Sequence, residues 1–202
     1  MTGIKFCGLK NPSDIEAANS LEPEYVGFVF APKSRRFVTP EEACELKRLL
    51  SPKIQAVGVF VDERPEVIAE LLTYGVIDMA QLHGTESPED IRRLKEISGK
   101  PVIKAFLIKT AEDVRKAMQS PADYVLLDSG MGTGTVFDWE MIRGMERPYF
   151  LAGGLEPGNV GQAIRRLSPF AVDVSSGIET DGVKDLRKMA EFSAAVRKEE
   201  RV

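Results

Sequence analysis

The sequence is poor in the residues that build disulfide frameworks and metal sites. Among its 202 residues are two cysteines, Cys7 and Cys44, and one histidine, His83. Two widely spaced cysteines do not form a disulfide framework, and with a single histidine they do not supply a closed zinc site. We therefore expect no metal site.

Long apolar runs and an excess of basic charge are missing too. No stretch reaches the length of a membrane span, and no charged-then-apolar leader precedes the first apolar run. The 27 Lys and Arg residues stand against 31 Asp and Glu, a net charge of −4. This balance argues against a broad surface for nucleic acid or anionic membrane, although it leaves room for a local basic pocket that binds a small anion. We expect a cytoplasmic protein with neither partner.

What the sequence does have is a regular alternation of apolar runs and helical patterns. The runs are mostly continuous in apolar residues, which is typical of parallel strands covered on both faces. They occupy residues 3–7, 25–30, 54–61, 77–82, 101–106, 123–128, 148–152 and 170–174. Between them, apolar residues recur with helical spacing, as at Val160, Ala163, Ile164 and Leu167.

Eight strands over 202 residues leave about 25 residues per strand–helix unit, which is short but feasible for a (β/α)8 barrel. A doubly wound open sheet has the same alternation and is the main alternative. The count of eight, without a long insertion, favours the barrel. We predict an α/β fold, a (β/α)8 TIM barrel of eight parallel strands. Residues 1–202 should form a single domain, because no linker or low-complexity stretch interrupts them.

In such a barrel, chemistry takes place at the carboxyl ends of the strands. Strand one ends at Cys7, which fits either a buried small hydrophobe or a reactive thiol. Lys5 lies on the same side of this strand by two-residue alternation, so its ammonium is the first candidate to stabilise a Cys7 thiolate. Strand six ends at Asp128. A desolvated carboxyl has a raised pKa and suits an acid, although a capping or ion-paired aspartate explains the same pattern.

Strands seven and eight are followed by residues typical of an anion site. Gly153 and Gly154 follow strand seven, and Ser175, Ser176 and Gly177 follow strand eight. Backbone N–H groups freed by glycines, together with serine hydroxyls, bind anions, and barrels often hold phosphate at these two loops. Either stretch alone would fit an ordinary turn, but both at adjacent strand ends favour phosphate.

Other polar residues at strand ends are candidate ligand contacts. Arg36, in the loop after strand two, suits a planar carboxylate held by two parallel hydrogen bonds, or is a solvated loop arginine. Gln81 and His83 end strand four, and Asp173 lies near the end of strand eight. We regard these three as possible substrate contacts.

Two further features leave alternatives open. The stretch SGMGTG, residues 129–134, fails the dinucleotide fingerprint because Thr135 stands at its third glycine. It predicts either a loop that can close over a ligand or a plain connection. Lys104, inside the run VIKAF, could form a Schiff base as in barrel aldolases. It could instead be a barrel-interior cation paired with a carboxylate of a neighbouring strand.

Taken together, the sequence resembles the phosphoribosylanthranilate isomerase family nearly end to end. The resemblance rests on KFCGLKN (5–11), VGFVFAPKSRR (26–36), VGVFVDE (57–63), AQLHG (80–84), LLDS (126–129), FDW (137–139), AGGL (152–155) and PFAVDVSSGIE (169–179). It implies a (β/α)8 barrel enzyme of tryptophan biosynthesis that has no cofactor. Its expected reaction is the Amadori rearrangement of N-(5-phosphoribosyl)anthranilate, a small phosphosugar, to 1-(2-carboxyphenylamino)-1-deoxyribulose 5-phosphate.

The resemblance also implies residue roles. It assigns the general base to Cys7, the general acid to Asp128 and the grip on the anthranilate carboxylate to Arg36. The phosphate loops fall on Gly153 and Gly154 and on residues 175–177. Thr135 stands where the family commonly has a long polar residue, so no ligand contact is predicted there.

Several alternatives remain at this point. The barrel isomerase of histidine biosynthesis pairs two aspartates, whereas the first strand here ends in Cys7. The others are a Schiff-base aldolase using Lys104 and a phosphate-binding barrel without activity. The sequence fits either a monomer or a homodimer.

Overall fold

A computed structural model of the chain describes residues 1–128 and 139–199. Eight parallel strands form a closed barrel in which each strand pairs with the next one in the chain and β8 pairs with β1. The strands are β1 (Gly3–Cys7), β2 (Tyr25–Val29), β3 (Gln55–Phe60), β4 (Met79–Leu82), β5 (Val102–Leu107), β6 (Tyr124–Asp128), β7 (Tyr149–Ala152) and β8 (Ala171–Val174). The predicted barrel is therefore confirmed, and the open sheet was the wrong alternative.

Helices surround the barrel. They are α1 (Pro12–Leu21), α2 (Pro40–Leu49), α3 (Pro65–Thr73), α4 (Pro88–Ser98), α5 (Ala111–Gln119), α6 (Val160–Leu167) and α7 (Leu186–Lys198). Helix α4 begins as its sequence predicts, because the Ser87 hydroxyl accepts from the N–H of Asp90 and the Asp90 carboxylate accepts from the N–H of Ser87. No helix in the described ranges is both long enough and apolar enough to span a membrane.

Two loops carry short elements of their own. Before β7 the described chain contains a 3-10 helix, Trp139–Ile142. After β8, a 3-10 helix (Ser176–Ile178) leads into an antiparallel hairpin of β9 (Glu179–Thr180) and β10 (Val183–Lys184). This hairpin lies between β8 and α7, and the sequence pattern did not predict it.

Strand side chains alternate between two apolar layers. One layer fills the barrel interior, and the other packs between the strands and the helices. The interior layer consists of Val57, Met79, Ile103, Ala105, Leu126, Phe150, Ala152 and Ala171. At the amino-terminal ends of the strands, the rings of Tyr25, Tyr124 and Phe170 pack with Phe150 of this layer, with centroids 5.0 to 5.8 Å apart. Aromatic rings therefore fill the amino-terminal end of the barrel.

Candidate active site

A cavity of about 340 Å³ opens at the carboxyl end of the barrel. This volume suits a small molecule. Apolar side chains, such as Val29 and Val59, form part of its wall. The predicted site residues that line it are Cys7, Arg36, Gln81, His83, Asp128, Gly153, Gly154, Asp173, Ser175 and Ser176. The barrel therefore brings together residues spread over most of the chain.

The thiol of Cys7 lies at the edge of this cavity and is 8% exposed. Gly27, opposite Cys7 on β2, makes room for it, since a Cβ at position 27 would lie 2.8 Å from Cys7 Sγ. Gly8 follows with φ of +78°, a left-handed conformation that favours glycine. The two glycines together allow a thiol to end the strand without crowding from the neighbouring backbone.

A buried ion pair lies beside Cys7. Lys5 Nζ is 2.9 Å from Asp173 Oδ1, and the register of β1 against β8 places these two residues opposite each other. Burial disfavours the Lys5 ammonium, but Asp173 and the Cys7 sulfur outweigh it, so the pKa of Lys5 is raised. The two-residue alternation thus correctly placed Lys5 next to Cys7.

The charge state of Cys7 reflects opposing influences. Burial raises the pKa of the thiol above its ordinary value. The positive charges of Lys5 and Lys184 lower the pKa of Cys7, whereas the negative charge of Asp173 raises it further. Burial prevails, so the thiolate is a minor form near neutral pH and its population depends on the two lysines.

Asp128 lies next to a polar chain that runs along the end of β4. His83 Nε2 is 3.7 Å from Asp128 Oδ2, and His83 Nδ1 is 3.0 Å from Gln81 Nε2. In this amide orientation Gln81 donates to Nδ1, so the ring hydrogen is on Nε2 and faces the carboxylate. Gln81 Oε1 is buried and has no hydrogen-bond partner among the described residues. The chain Gln81–His83–Asp128 therefore places one donor beside Asp128.

Arg36 also reaches the cavity, but part of its guanidinium is bound by another residue. Its Nε and Nη2 donate to the two carboxylate oxygens of Glu179 at 2.7 and 2.8 Å. Glu179 accepts further from Arg35 and Lys184, each at 2.7 Å. Burial of Glu179 would raise its pKa, but the hydrogen bonds from Arg36 and Lys184 and their charges lower it to about 2. Glu179 is therefore an anion at any physiological pH.

The two glycine-containing loops pack tightly against each other. Gly153 and Gly154 both have positive φ, +93° and +63°. A Cβ at Gly177 would lie 1.9 Å from the carbonyl oxygen of Leu155, so only glycine permits this approach. Helix α6 begins at Val160, six residues after Gly154, so the glycines do not directly precede its first turn.

The serines of the second loop have different surroundings. The Ser175 hydroxyl donates to the carbonyl oxygen of Cys7 at 3.0 Å. The carbonyl of Ser175 in turn accepts from Lys184 Nζ at 2.9 Å. This serine connects the predicted phosphate loop to the strand end that carries the thiol.

Lys104 is not the interior cation that one alternative required. It projects to the helix side of β5, where Nζ lies 2.9 Å from Glu86 Oε2 and 2.8 Å from the carbonyl oxygen of Gly84. Its partner comes from the loop after β4, not from a neighbouring strand. Lys104 does not line the cavity that holds Cys7 and Asp128. It lines a separate pocket on the helix side, together with Glu86 and Phe106.

Two predictions need a separate statement. The glycine-rich stretch 129–134 and Thr135 lie outside the described residues. Within the described ranges, no three His, Cys, Asp or Glu side chains group closely enough to hold a metal ion.

Sequence reasoning missed three residues of this site. Glu179 lies in β9 and Lys184 in β10, and no periodic pattern in this hairpin indicates a functional side chain. Glu179 is 143 positions from Arg36, which it contacts. Gly27 was missed as well, although a glycine in the middle of a strand can indicate a close approach of another group.

Comparison with known proteins adds an independent line of evidence. Residues 4–195 match the family profile described as N-(5'-phosphoribosyl)anthranilate (PRA) isomerase. The N-(5'-phosphoribosyl)anthranilate isomerase of Acetivibrio thermocellus is 42% identical, over 98% of this chain and 96% of its own. The crystal structure of phosphoribosyl anthranilate isomerase from Thermotoga maritima superposes with a TM-score of 0.90 at 38% identity, over 98% of this chain and all of that one.

A solved isomerase complex is similar to the same degree. This phosphoribosyl anthranilate isomerase, in complex with reduced 1-(o-carboxyphenylamino)-1-deoxyribulose 5-phosphate, has a TM-score of 0.88 and 38% identity, over 98% of this chain and 100% of that chain. Profile, sequence and fold agree over nearly the full length, and the chain belongs to the N-(5'-phosphoribosyl)anthranilate isomerase family of enzymes.

Proposed function

We propose that this chain isomerises N-(5-phosphoribosyl)anthranilate to 1-(2-carboxyphenylamino)-1-deoxyribulose 5-phosphate, a step of tryptophan biosynthesis, with Asp128 as general acid and Cys7 as general base. One observation carries the proposal. A single cavity of suitable size collects a thiol, a carboxyl, an arginine and two glycine-containing loops. These are the groups that a substrate with a phosphate at one end and a carboxylate at the other would need.

Binding would use the two ends of the cavity. Arg36 has five N–H donors and gives two of them to Glu179. Three remain, which is enough for a second parallel pair of hydrogen bonds to the anthranilate carboxylate. The phosphate would lie against the backbone of Gly153 and Gly154 and the loop that starts at Ser175. Turns made by glycines with positive φ can present backbone N–H groups to an anion, and Gly153 and Gly154 form such a turn.

The acid step opens the ribose ring. Asp128, as a carboxylic acid, gives its proton to the furanose ring oxygen while the lone pair of the anilino nitrogen forms a C=N bond and the C1′–O bond breaks. Asp128 leaves this step as a carboxylate facing the Nε2–H of His83. We assign His83 and Gln81 the task of orienting Asp128, since their hydrogen bond fixes the histidine ring.

The base step forms the ketone. The Cys7 thiolate removes the proton from C2′, which gives an enolamine and returns the thiol. Protonation at C1′ and loss of the hydroxyl proton at C2′ then complete the isomerisation without any oxidant or reductant. The Lys5 ammonium stabilises the thiolate required at the start, and Asp173 holds that ammonium in place.

The test is turnover of freshly made phosphoribosylanthranilate, followed by the loss of anthranilate fluorescence. Cys7→Ala and Asp128→Asn should each lower kcat by about 10²–10⁴-fold, the usual contribution of a positioned acid or base. Cys44→Ala is the matched control, because Cys44 packs on helix α2 away from the cavity and should keep full activity. Near-full turnover by Cys7→Ala would refute the base assignment, and no turnover by the folded parent chain would refute the function.

A further inference from the structure

Glu179 is a buried carboxylate that the proposed reaction does not use. It stands at the start of the hairpin after β8, and its side chain is 4% exposed. Arg36 donates to it twice and Arg35 and Lys184 once each, at 2.7 to 2.8 Å. Three cations and one anion give this cluster a net charge of +2, so it attracts anions even though Glu179 itself is negative.

The contacts of Arg36 leave its side chain little freedom. A parallel pair of hydrogen bonds to Glu179 fixes the plane of the guanidinium. Its aliphatic stem crosses directly over Gly8, where a Cβ would lie 2.3 Å from Arg36 Cδ. Because position 8 has no side chain, the aliphatic part of Arg36 can lie directly against the backbone there. The carboxylate of Glu179 holds the guanidinium.

Lys184 connects the same carboxylate to the other end of the site. Its Nζ donates to Glu179 and to the carbonyl oxygen of Ser175, whose hydroxyl donates to Cys7. The Lys184 side chain is 3% exposed. Glu179 therefore lies where hydrogen bonds join the arginine loop, the loop after β8 and the end of β1.

We propose that Glu179 is a positioning residue that sets the orientation of Arg36 and thereby makes the site selective for a substrate with an aromatic carboxylate. This inference rests on the proposed role of Arg36. Two of the five N–H donors of the guanidinium face Glu179, and this contact would direct the three that remain toward the ligand. Removing the negative charge of Glu179 would also have the opposite effect on affinity, because it would strengthen the binding of any anion. The rigid geometry leads us to expect that orientation outweighs charge.

The experiment compares two ligands in the full chain. One is reduced 1-(o-carboxyphenylamino)-1-deoxyribulose 5-phosphate, and the other is the same compound with hydrogen in place of the carboxylate. Calorimetry gives both dissociation constants, and their ratio is the carboxylate preference. Glu179→Gln should reduce this preference about tenfold or more, in line with the cost of small misplacements, while the carboxylate-free ligand changes less than about twofold.

Three variants make the result decisive. Glu179→Asp keeps the charge but withdraws the carboxylate by one methylene, so it should lose preference in the same direction even if Glu179→Gln fails to fold. Arg35→Gln is the matched control. It removes a Glu179 partner whose charge is screened by solvent, because its side chain is 60% exposed, so it should lose far less of the preference than Glu179→Gln. Arg36→Lys replaces the planar guanidinium with an ammonium that cannot form two parallel hydrogen bonds, so this variant should lose the carboxylate preference.

The outcomes separate the two proposals. If Arg36→Lys keeps the preference, the proposed role of Arg36 fails, and this inference fails with it. If Arg36→Lys loses the preference while Glu179→Gln and Glu179→Asp keep it, only the inference fails. Equal weakening of both ligands, tighter binding of the carboxylate ligand, or the same loss in Arg35→Gln would also overturn it.

Discussion

Replacing Lys5 with methionine tests how the fold controls the thiol of Cys7. Two consequences act in the same direction. The cation that favours the thiolate is lost, and the carboxylate of Asp173, which disfavours the thiolate, is left without its partner. Both raise the pKa of Cys7 further above its ordinary value, so less thiolate is present at any given neutral pH.

Coulomb's law sets the scale of the effect for a lysine and a thiolate in close contact. Two unit charges about 4 Å apart interact by about 4 kcal/mol at an effective dielectric constant of about 20, which is an upper limit because water enters an altered site. If only about 1.4 kcal/mol of this interaction is lost on substitution, the thiolate population already falls tenfold. We therefore expect at least a tenfold slower reaction of Cys7 with iodoacetamide, and a similar decrease in kcat/KM.

The assay follows alkylation of Cys7 against pH by mass spectrometry, in a Cys44→Ala background. Since burial raises the pKa of Cys7, the parent rate should still increase at pH 9, and the Lys5→Met curve should lie below it and shift to higher pH. Removing one partner of a buried pair costs about 3–5 kcal/mol of stability, so Lys5→Met/Asp173→Asn, which removes both charges, is the second variant. It should recover most of the stability.

Lys104→Met provides the matched control. Lys104 is a second buried, ion-paired lysine on a barrel strand, but it faces the helices. The Lys104→Met substitution should lower the free energy of unfolding about as much as Lys5→Met, without changing the alkylation of Cys7. If Lys5→Met and Lys104→Met give the same alkylation profile, or if Lys5→Met matches the parent, the argument that Lys5 controls the thiolate is wrong.

Three further predictions concern the surroundings of the site. Gly177→Ala should lower the free energy of unfolding by about 1–3 kcal/mol and weaken inhibition by inorganic phosphate, because the new Cβ would clash with the Leu155 carbonyl oxygen. The control is Gly158→Ala, where there is space for a Cβ. It should change neither the unfolding free energy nor the inhibition. The stability difference between the parent and Glu179→Gln in urea should be at most about 3 kcal/mol at neutral pH, because solvent screening reduces it. It should disappear as the pH falls from about 4.5 to about 2, since a carboxylate with a lowered pKa loses its stabilisation over that window. Borohydride reduction in the presence of substrate should leave Lys104 unmodified by mass spectrometry, whereas a trapped adduct would restore the aldolase alternative.

The barrel and the residues at its strand ends could be predicted from the sequence because both depend on short-range periodicity. Continuous apolar runs separated by helical patterns specify parallel strands, and chain order then places neighbours side by side. Two-residue alternation was sufficient to put Lys5 beside Cys7. The predicted carboxyl-terminal ends of β1, β4, β6, β7 and β8 agree with the structure to the residue.

Lys104 shows where this reasoning fails. In a strand covered on both faces, Val102 and Phe106 are as apolar as Ile103 and Ala105, so the pattern does not tell which set faces the interior. The sequence left two alternatives for this lysine, a Schiff-base residue and a barrel-interior cation, and its position on the helix side contradicts the second. A charged residue in such a strand needs a partner, and here the partner is Glu86 in a loop, which no strand periodicity could indicate.

The cluster around Glu179 could not be predicted for a related reason, and it explains how an acidic chain can hold an anionic ligand. The net charge of −4 is a property of the whole sequence. At the cavity the Lys5–Asp173 pair is neutral, whereas Arg35, Arg36 and Lys184 exceed Glu179 by two positive charges. These four residues come from two loops that are distant in sequence, and their contacts exist only after β1, β2 and β8 have closed the barrel. Because the field at a site depends on a few charges within several ångströms, local contacts and not composition decide which ligand charge the cavity attracts.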